Sequence, residues 1–314
     1  MPSSFSFIRF AEHDGGEARL GLSVRDRVLP LEGTVNDLIA GWPGEQDRLQ
    51  ALADGPQDGW LDYAELTVLA PVEPRQVIQA GANYRTHVID LGVAHRSPDD
   101  PRTEEQVRED TARMMDQRAA EGIPYFFIGL PTAIASATDD LVLPSYSQKH
   151  DWELELAAVI GTTAHRVTVD EALGHVFGYT MVNDVSTRDL IFRKDMPEIG
   201  TDWYRAKNAP GFLPTGPLLT PAAFMGDPQD ITLRLDLNGR TMQDESTADM
   251  IFSVAQLVSH ASQNMPLLPG DLVLTGSPAG NGMHWGRLLR EGDVMEATIT
   301  GLGTQRVACV GGAA

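Results

Sequence analysis

The segment Asp151-Trp152-Glu153-Leu154-Glu155-Leu156 places two carboxylates two residues apart. Alternate side chains of a strand share a face, so Glu153 and Glu155 point one way while Trp152, Leu154 and Leu156 point the other. Residues 157–160 continue as an uninterrupted apolar run, the pattern of a central strand. Two like charges buried side by side are costly unless protons or a cation compensate them, and a hard divalent metal would do so. On an edge strand the same two glutamates would simply face water, as glutamates commonly do.

A second apolar run, 176–182, ends in Asn183-Asp184, with Ser186, Arg188 and Asp189 close behind. An acid at the end of a buried strand is well placed to be a third ligand. Glu153, Glu155 and Asp184 make an all-oxygen set, which selects Mg²⁺, Mn²⁺ or Ca²⁺ over zinc or copper. The third element is the run from Gly81 to Asp90, where a strand passes through a glycine into a helix. His87 and Asp90 are i and i+3 on that helix and so share a face. A carboxylate beside an imidazole fixes its tautomer and raises its basicity, as a general base acting on water requires. The same spacing also serves ordinary surface salt bridges, which contribute little.

These segments need a scaffold. The first seventy or so residues alternate in the strand manner (Phe5, Phe7, Ile8, Phe10, then Leu20, Leu22, Val24), which predicts a small β-rich N-terminal domain over 1–72. Pro71 and Pro74 mark a linker, and the catalytic domain is expected over 73–314. Within it the charged segment 101–121 reads as a solvated helix, with Thr103 and Gln106 at capping-box spacing. As part of 97–122 it would serve as a lid over the site or as an inert surface insertion. Further helices are expected from Thr168 and after Ser246, the latter with Met250, Ile251, Val254, Leu257, Val258 and Ala261 on one stripe. Strands are expected at 152–160, 176–182, 231–237, 272–274 and 294–299, with Asn238-Gly239 as a hairpin turn. Strands outnumber helices without regular βαβ alternation, so the fold class is α+β, mainly β.

Composition narrows the partners. The chain has 314 residues, 24 Lys+Arg against 44 Asp+Glu, and a formal charge of −20. Such a surface repels phosphate backbones and anionic lipids, so neither nucleic acid nor a membrane is an expected partner. The N-terminus lacks the order of a signal peptide, and the cytoplasm is the expected address. The single cysteine, Cys309, lies in an apolar run and reads as a buried thiol without catalytic weight.

In order along the chain, Gly81 to His87, Asp151 to Gly161, Gly178 to Asp189, Lys207 with Pro214-Thr215-Gly216-Pro217, Asn238-Gly239 with Gln243, and Pro269-Gly270-Asp271 through Thr275-Gly276-Ser277-Pro278 resemble the fumarylacetoacetate hydrolase family. The resemblance spans about residues 77 to 303. It implies a mixed β-sandwich roll, usually a homodimer, that binds Mg²⁺ or Mn²⁺ and acts on small oxo acids such as β-diketo acids and acylpyruvates. It implies Glu153, Glu155 and Asp184 as metal ligands, and His87 and Asp90 as the base and its carboxylate partner, with Asp90 standing where the nearest relatives carry Glu. Lys207 is implied to face the substrate oxygens, and Tyr84, Arg85, Gly276 and Ser277 to bind substrate. Arg188 and Asp189 are expected to pair and support the loop of Asp184, and Gly276, Gly280 and Gly282 to be turn residues.

One departure bears on the reaction. Relatives commonly carry Gln two residues beyond the second Asp of Asn183-Asp184-Val185-Ser186-Thr187-Arg188-Asp189, and this chain has Ile191. An apolar side chain cannot orient water by hydrogen bonding. Arg193 or Lys194, in a long stretch up to Tyr204, are the polar groups that could reach the site instead. The expected reaction is hydrolysis of a carbon–carbon bond. The alternatives are decarboxylation of an oxaloacetate-like acid, hydration or isomerisation of an unsaturated oxo acid, and a binding protein without turnover.

Overall fold

Three large sheets hold nearly all the strands among the described residues, with a two-stranded pairing of His150–Asp151 and Ser186–Thr187 beside them and the helices at their margins. The computed structural model describes residues 3–56, 58–94, 96–97 and 99–312. Pro98, within the expected lid segment, and the chain ends at 1–2 and 313–314 lie outside the described residues.

The first sheet has five antiparallel strands in the order Leu61–Asp62, Arg27–Leu31, Arg19–Val24, Ser6–Ala11, Thr67–Leu69. A 20-residue helix, α1 (Val35–Asp54), is inserted between its strands. The alternating pattern of the leader did not announce α1, whose interior carries Pro43 and two glycines, poor helix formers that mask its period. The helix starts on a capping box between Thr34 and Asp37 and buries Val35, Leu38, Ile39 and Leu49. This unit is not isolated. Phe7, Leu22 and Val35 share one apolar cluster with Ala157, Val159 and Phe177 of the central sheet, and the Phe7 backbone exchanges hydrogen bonds with Leu219.

The central sheet is mixed. Its path runs Tyr125–Gly129, Val77–Gly81, Leu272–Leu274, Leu154–Ile160, Val176–Asn183, Leu213–Thr215, Ile134–Ser136. Every residue of Leu154–Ile160 and Val176–Asn183 is buried. The alternation read from the sequence sorts their neighbours: Leu154, Leu156, Ala158 and Ile160 enter one apolar cluster, Ala157 and Val159 the other. The third sheet orders Arg240–Ser246, Thr232–Leu237, Val294–Ile299, Thr304–Gly311 and Leu141–Leu143. Asn238 and Gly239 both have positive φ at its hairpin, as a tight two-residue turn demands.

Two helices follow the strand Val77–Gly81: α2 (Arg85–Ala94) and α3 (Glu104–Glu121). The Thr103–Gln106 capping box opens α3, and Val107, Thr111 and Met115 form its buried stripe. The turn after Thr168 is only four residues long, and the helix expected after Ser246 begins instead at Val254. There a further capping box, Ser253 with Gln256, sets its start, while Met250 is extended and Ile251 sits in a bend. No described helix is long and apolar enough to cross a membrane.

Candidate active site

Two neighbouring strand ends build the floor of the site. Asp184 N–H donates to the Glu153 carbonyl at 2.8 Å, and Glu153 N–H donates to Asn183 Oδ1 at 2.9 Å. These ties bring Glu153, Glu155 and Asp184 together, with ligand oxygens within 4.8 Å of one another and all three residues buried. Gly276 completes the support from the neighbouring strand: its N–H donates to Glu155 Oε2 at 2.8 Å. Its φ of +91° and the Cβ of Asn83, 3.0 Å from where its own would lie, make glycine necessary there.

Two buried cations face these acids. Lys207, on the short helix Trp203–Lys207, hydrogen-bonds Glu153 through its ammonium and reaches Asp184 Oδ2 at 2.6 Å and the Asp184 carbonyl at 2.8 Å. Arg188 spans Glu153 Oε1 and Asp151 Oδ2, both at 2.7 Å. The expected Arg188–Asp189 pair is therefore not formed. Asp189 instead accepts from Ser147 Oγ at 2.6 Å, and Arg188 is drawn inward by two buried carboxylates. Asp151, which opens the segment of the two glutamates, carries no signal in the sequence that separates it from a surface acid. It also accepts from Gly282 N–H at 2.6 Å and so pins the start of the short helix Gly282–Trp285, where a turn was expected, against the floor.

Charge balance shows what the site can hold. Four buried carboxylates (Asp151, Glu153, Glu155, Asp184) oppose two buried cations, so full ionisation leaves two negative charges uncompensated. Burial and neighbouring Asp184 raise Glu155 well above the usual carboxylate range. Burial likewise pushes Asp184 up to about 6, against the pull of Lys207. Burial opposes the ionisation of Glu153 too, but there Arg188 and Lys207 outweigh it and hold the group below the usual range. Among the described residues, Asp184 Oδ1 is buried without a hydrogen-bond partner, as are both amide atoms of Gln79. A divalent cation fits this arrangement: it supplies the missing charge and a partner for an orphaned carboxylate oxygen.

Above the floor lies a cavity of about 410 Å³, lined by all three acids, Lys207, Arg188, Ser277 and His87. His87 is 7% exposed, and burial pushes its imidazole down to about 4, so it is neutral near pH 7. Its expected partner is engaged elsewhere. Asp90 accepts from Arg108 of α3 at 2.8 Å and lies 3.2 Å from His284 Nδ1, and among the described residues no hydrogen bond joins it to His87. The shorter Asp side chain, turned toward a full positive charge, leaves the imidazole free.

Other expected contacts are also redistributed. Tyr84 is fully buried and does not line the cavity, because the strand-to-helix corner turns it into the interior beside Thr275. Arg85 turns outward to a two-pronged ion pair with Asp116 of α3. Gly276 supports Glu155, while Ser277 lines the cavity and its Oγ accepts from Gln243 Nε2 at 3.0 Å. Arg193 is held by Asp195 and Asp202, and neither it nor Lys194 lines the cavity. Ile191 does, joined by Phe127 and Trp203, which no motif in the sequence singles out.

Residues 76–310 match the family model described as fumarylacetoacetate (FAA) hydrolase C-terminal. The chain is 44% identical over 96% of its length to a 2,4-didehydro-3-deoxy-L-rhamnonate hydrolase of Sphingomonas sp. (strain SKA58), covering 94% of that protein. It is 29% identical over 96% of its length to a mitochondrial oxaloacetate tautomerase of Xenopus laevis, covering 88% of it. Among solved structures, maleylpyruvate hydrolase from Sphingobium sp. SYK-6, in complex with manganese(II) and pyruvate, aligns with a TM-score of 0.74 at 26% identity. That alignment covers 98% of this chain and all of that one. With three quarters of its length inside the family model, this chain is a member of the fumarylacetoacetate hydrolase family, whose members are enzymes.

Proposed function

We propose that the protein hydrolyses the bond between C3 and C4 of a 2,4-dioxo acid, releasing pyruvate and a second carboxylate. The observation that carries this reading is the meeting, in one cavity, of a buried three-carboxylate cluster and a neutral, buried imidazole. The relative acting on a didehydro-deoxy sugar acid supports the substrate class, and the manganese–pyruvate complex of another supports both the cation and the product.

Glu153, Glu155 and Asp184 would hold Mg²⁺ or Mn²⁺, which when bound supplies a Lewis acid for the 2-oxo-carboxylate end. With a divalent cation held there, Lys207 and Arg188 would bring the four carboxylates to charge balance, so that the anionic end of the substrate would not be repelled. His87, unprotonated near pH 7, takes a proton from water as the oxygen bonds to C4. The C3–C4 bond then breaks with its electron pair passing to C3. The proton held by His87 is delivered to C3 and completes the methyl group of pyruvate, while C4 leaves as a carboxylic acid that ionises.

Ile191 favours one second reading. With an apolar side chain at that position, an oxaloacetate-like acid could be tautomerised or decarboxylated at the same cluster without a positioned water. The test is a panel of acetylpyruvate, oxaloacetate and an unsaturated 2-oxo acid, with Mg²⁺ or Mn²⁺ and with products identified by NMR. Pyruvate plus acetate from acetylpyruvate supports hydrolysis. Turnover of oxaloacetate alone selects the second reading, and equal rates after exhaustive chelation overturn both.

A further inference from the structure

The two cations that line the cavity, among the described residues, are Arg188 and Lys207, and both are already paired at the carboxylate floor. Away from the floor the lining changes character. The Lys207 ammonium lies 5.7 Å from the Phe127 ring centroid, and Phe127 stacks on Trp203 at 4.6 Å. Trp203 Nε1–H in turn donates to Tyr125 Oη at 2.6 Å, and Tyr125 is 45% exposed. This aromatic series leads from the buried ammonium to the rim. Leu91, Ile191 and Met283 complete the wall, and none of its side chains offers a positive charge. A substrate whose oxo-acid end occupies the floor must lay its remaining carbons along this wall, and a carboxylate there would lose hydration without gaining a positively charged partner.

We infer that the enzyme selects 2,4-dioxo acids with a single carboxylate and an uncharged acyl tail, and discriminates against those bearing a second carboxylate at the far end. This selection rests on the proposed hydrolysis for its substrate class, while the discrimination itself belongs to the wall.

Two near-isosteric pairs test it. Butyrylpyruvate and succinylpyruvate differ by a methyl group against a carboxylate, and kcat/KM is expected to be at least about tenfold higher for butyrylpyruvate. In the binding arm, 2-oxohexanoate and 2-oxoadipate are compared by thermal shift with MnCl₂ present, and 2-oxohexanoate is expected to give the larger stabilisation. Leu91→Lys places a cation on the wall and is expected to narrow both differences. Succinylpyruvate cleaved as well as butyrylpyruvate, or 2-oxoadipate stabilising as strongly as 2-oxohexanoate, overturns the inference. Unchanged ratios in Leu91→Lys overturn its assignment to this wall. Should no dioxo acid be cleaved while the binding difference stands, the hydrolase reading and its substrate class fail, and the discrimination of the wall against a second carboxylate is upheld.

Discussion

Asp90 lies one helical turn beyond His87, yet its carboxylate accepts a hydrogen bond from Arg108 of α3 at 2.8 Å. That contact makes Asp90 a tie between α2 and the helix that follows it, with His284 on its other oxygen. Asp90→Asn is therefore expected to lower kcat/KM less than about tenfold, whereas His87→Ala removes a positioned base and should lose about 10²–10⁴. Arg108 is 44% exposed, so the stability change from breaking the pair should stay within about 1 kcal/mol. Steady-state kinetics decide the matter, and an Asp90→Asn loss as deep as that of His87→Ala would return Asp90 to the role of base partner.

His87 predicts a pH effect of defined sign. Burial lowers its pKa from 6.5 to about 4, so between those values the unfolded chain binds a proton that the folded chain does not. A group depressed in this way contributes no penalty above the unfolded value, and the fold loses stability as pH falls from 6.5 toward 4, by up to about 3 kcal/mol. Comparing denaturant midpoints of the wild type and His87→Gln across this window should show the mutant declining less steeply. Parallel curves would mean that the imidazole is not desolvated.

Lys207 is 2% exposed and bonded to Glu153 and Asp184. Replacing it with Met leaves both carboxylates facing Glu155 with less positive charge nearby, and removal of one partner from a buried ionic group typically costs about 3–5 kcal/mol. The loss is expected to be smaller when Mn²⁺ is present than when EDTA is, because a cation among the same oxygens restores part of the charge balance. Thermal melts of Lys207→Met under the two conditions measure this directly, and an equal loss in both would separate the ammonium from the cation site.

Much of the site was readable before any fold was known. Strand periodicity put Glu153 and Glu155 on one face and the apolar run after them signalled burial, which together force charge compensation; the strand itself starts only at Leu154, and Glu153 is held by its backbone ties to Asn183 and Asp184. What did not follow was the choice of partners. Arg188, Asp189 and Asp90 each had a near neighbour in sequence to pair with, and each found a distant partner instead. Such choices depend on which groups are desolvated together, and that is a property of tertiary packing. The wall of Phe127 and Trp203 was equally silent, since aromatic residues lining a cavity have the same local pattern as those filling a core. Helix α1 was hidden for a local reason, Pro43 and its flanking glycines.

The carboxylate cluster makes the response to metal depend on pH. Asp184 is pushed up to about 6 and Glu155 well above its ordinary value, chiefly by burial, so protons compete with any cation for the same oxygens. For a carboxyl raised in the folded state, the stabilising contribution is present at low pH and is lost as pH rises through the folded value. Without metal, Asp184 thus weakens the fold between 3.8 and about 6, while with metal its ionised form gains a partner. The stabilisation by Mn²⁺ relative to EDTA, followed by thermal melts, should grow as pH rises from about 5 to about 7, toward about 2.7 kcal/mol at a hundredfold excess over Kd. Glu155→Gln, which keeps the shape of the side chain but removes a ligand charge, should abolish most of that gap. A gap that is independent of pH, or that survives in Glu155→Gln, would place cation binding outside this cluster and leave its excess negative charge to be balanced by protons alone.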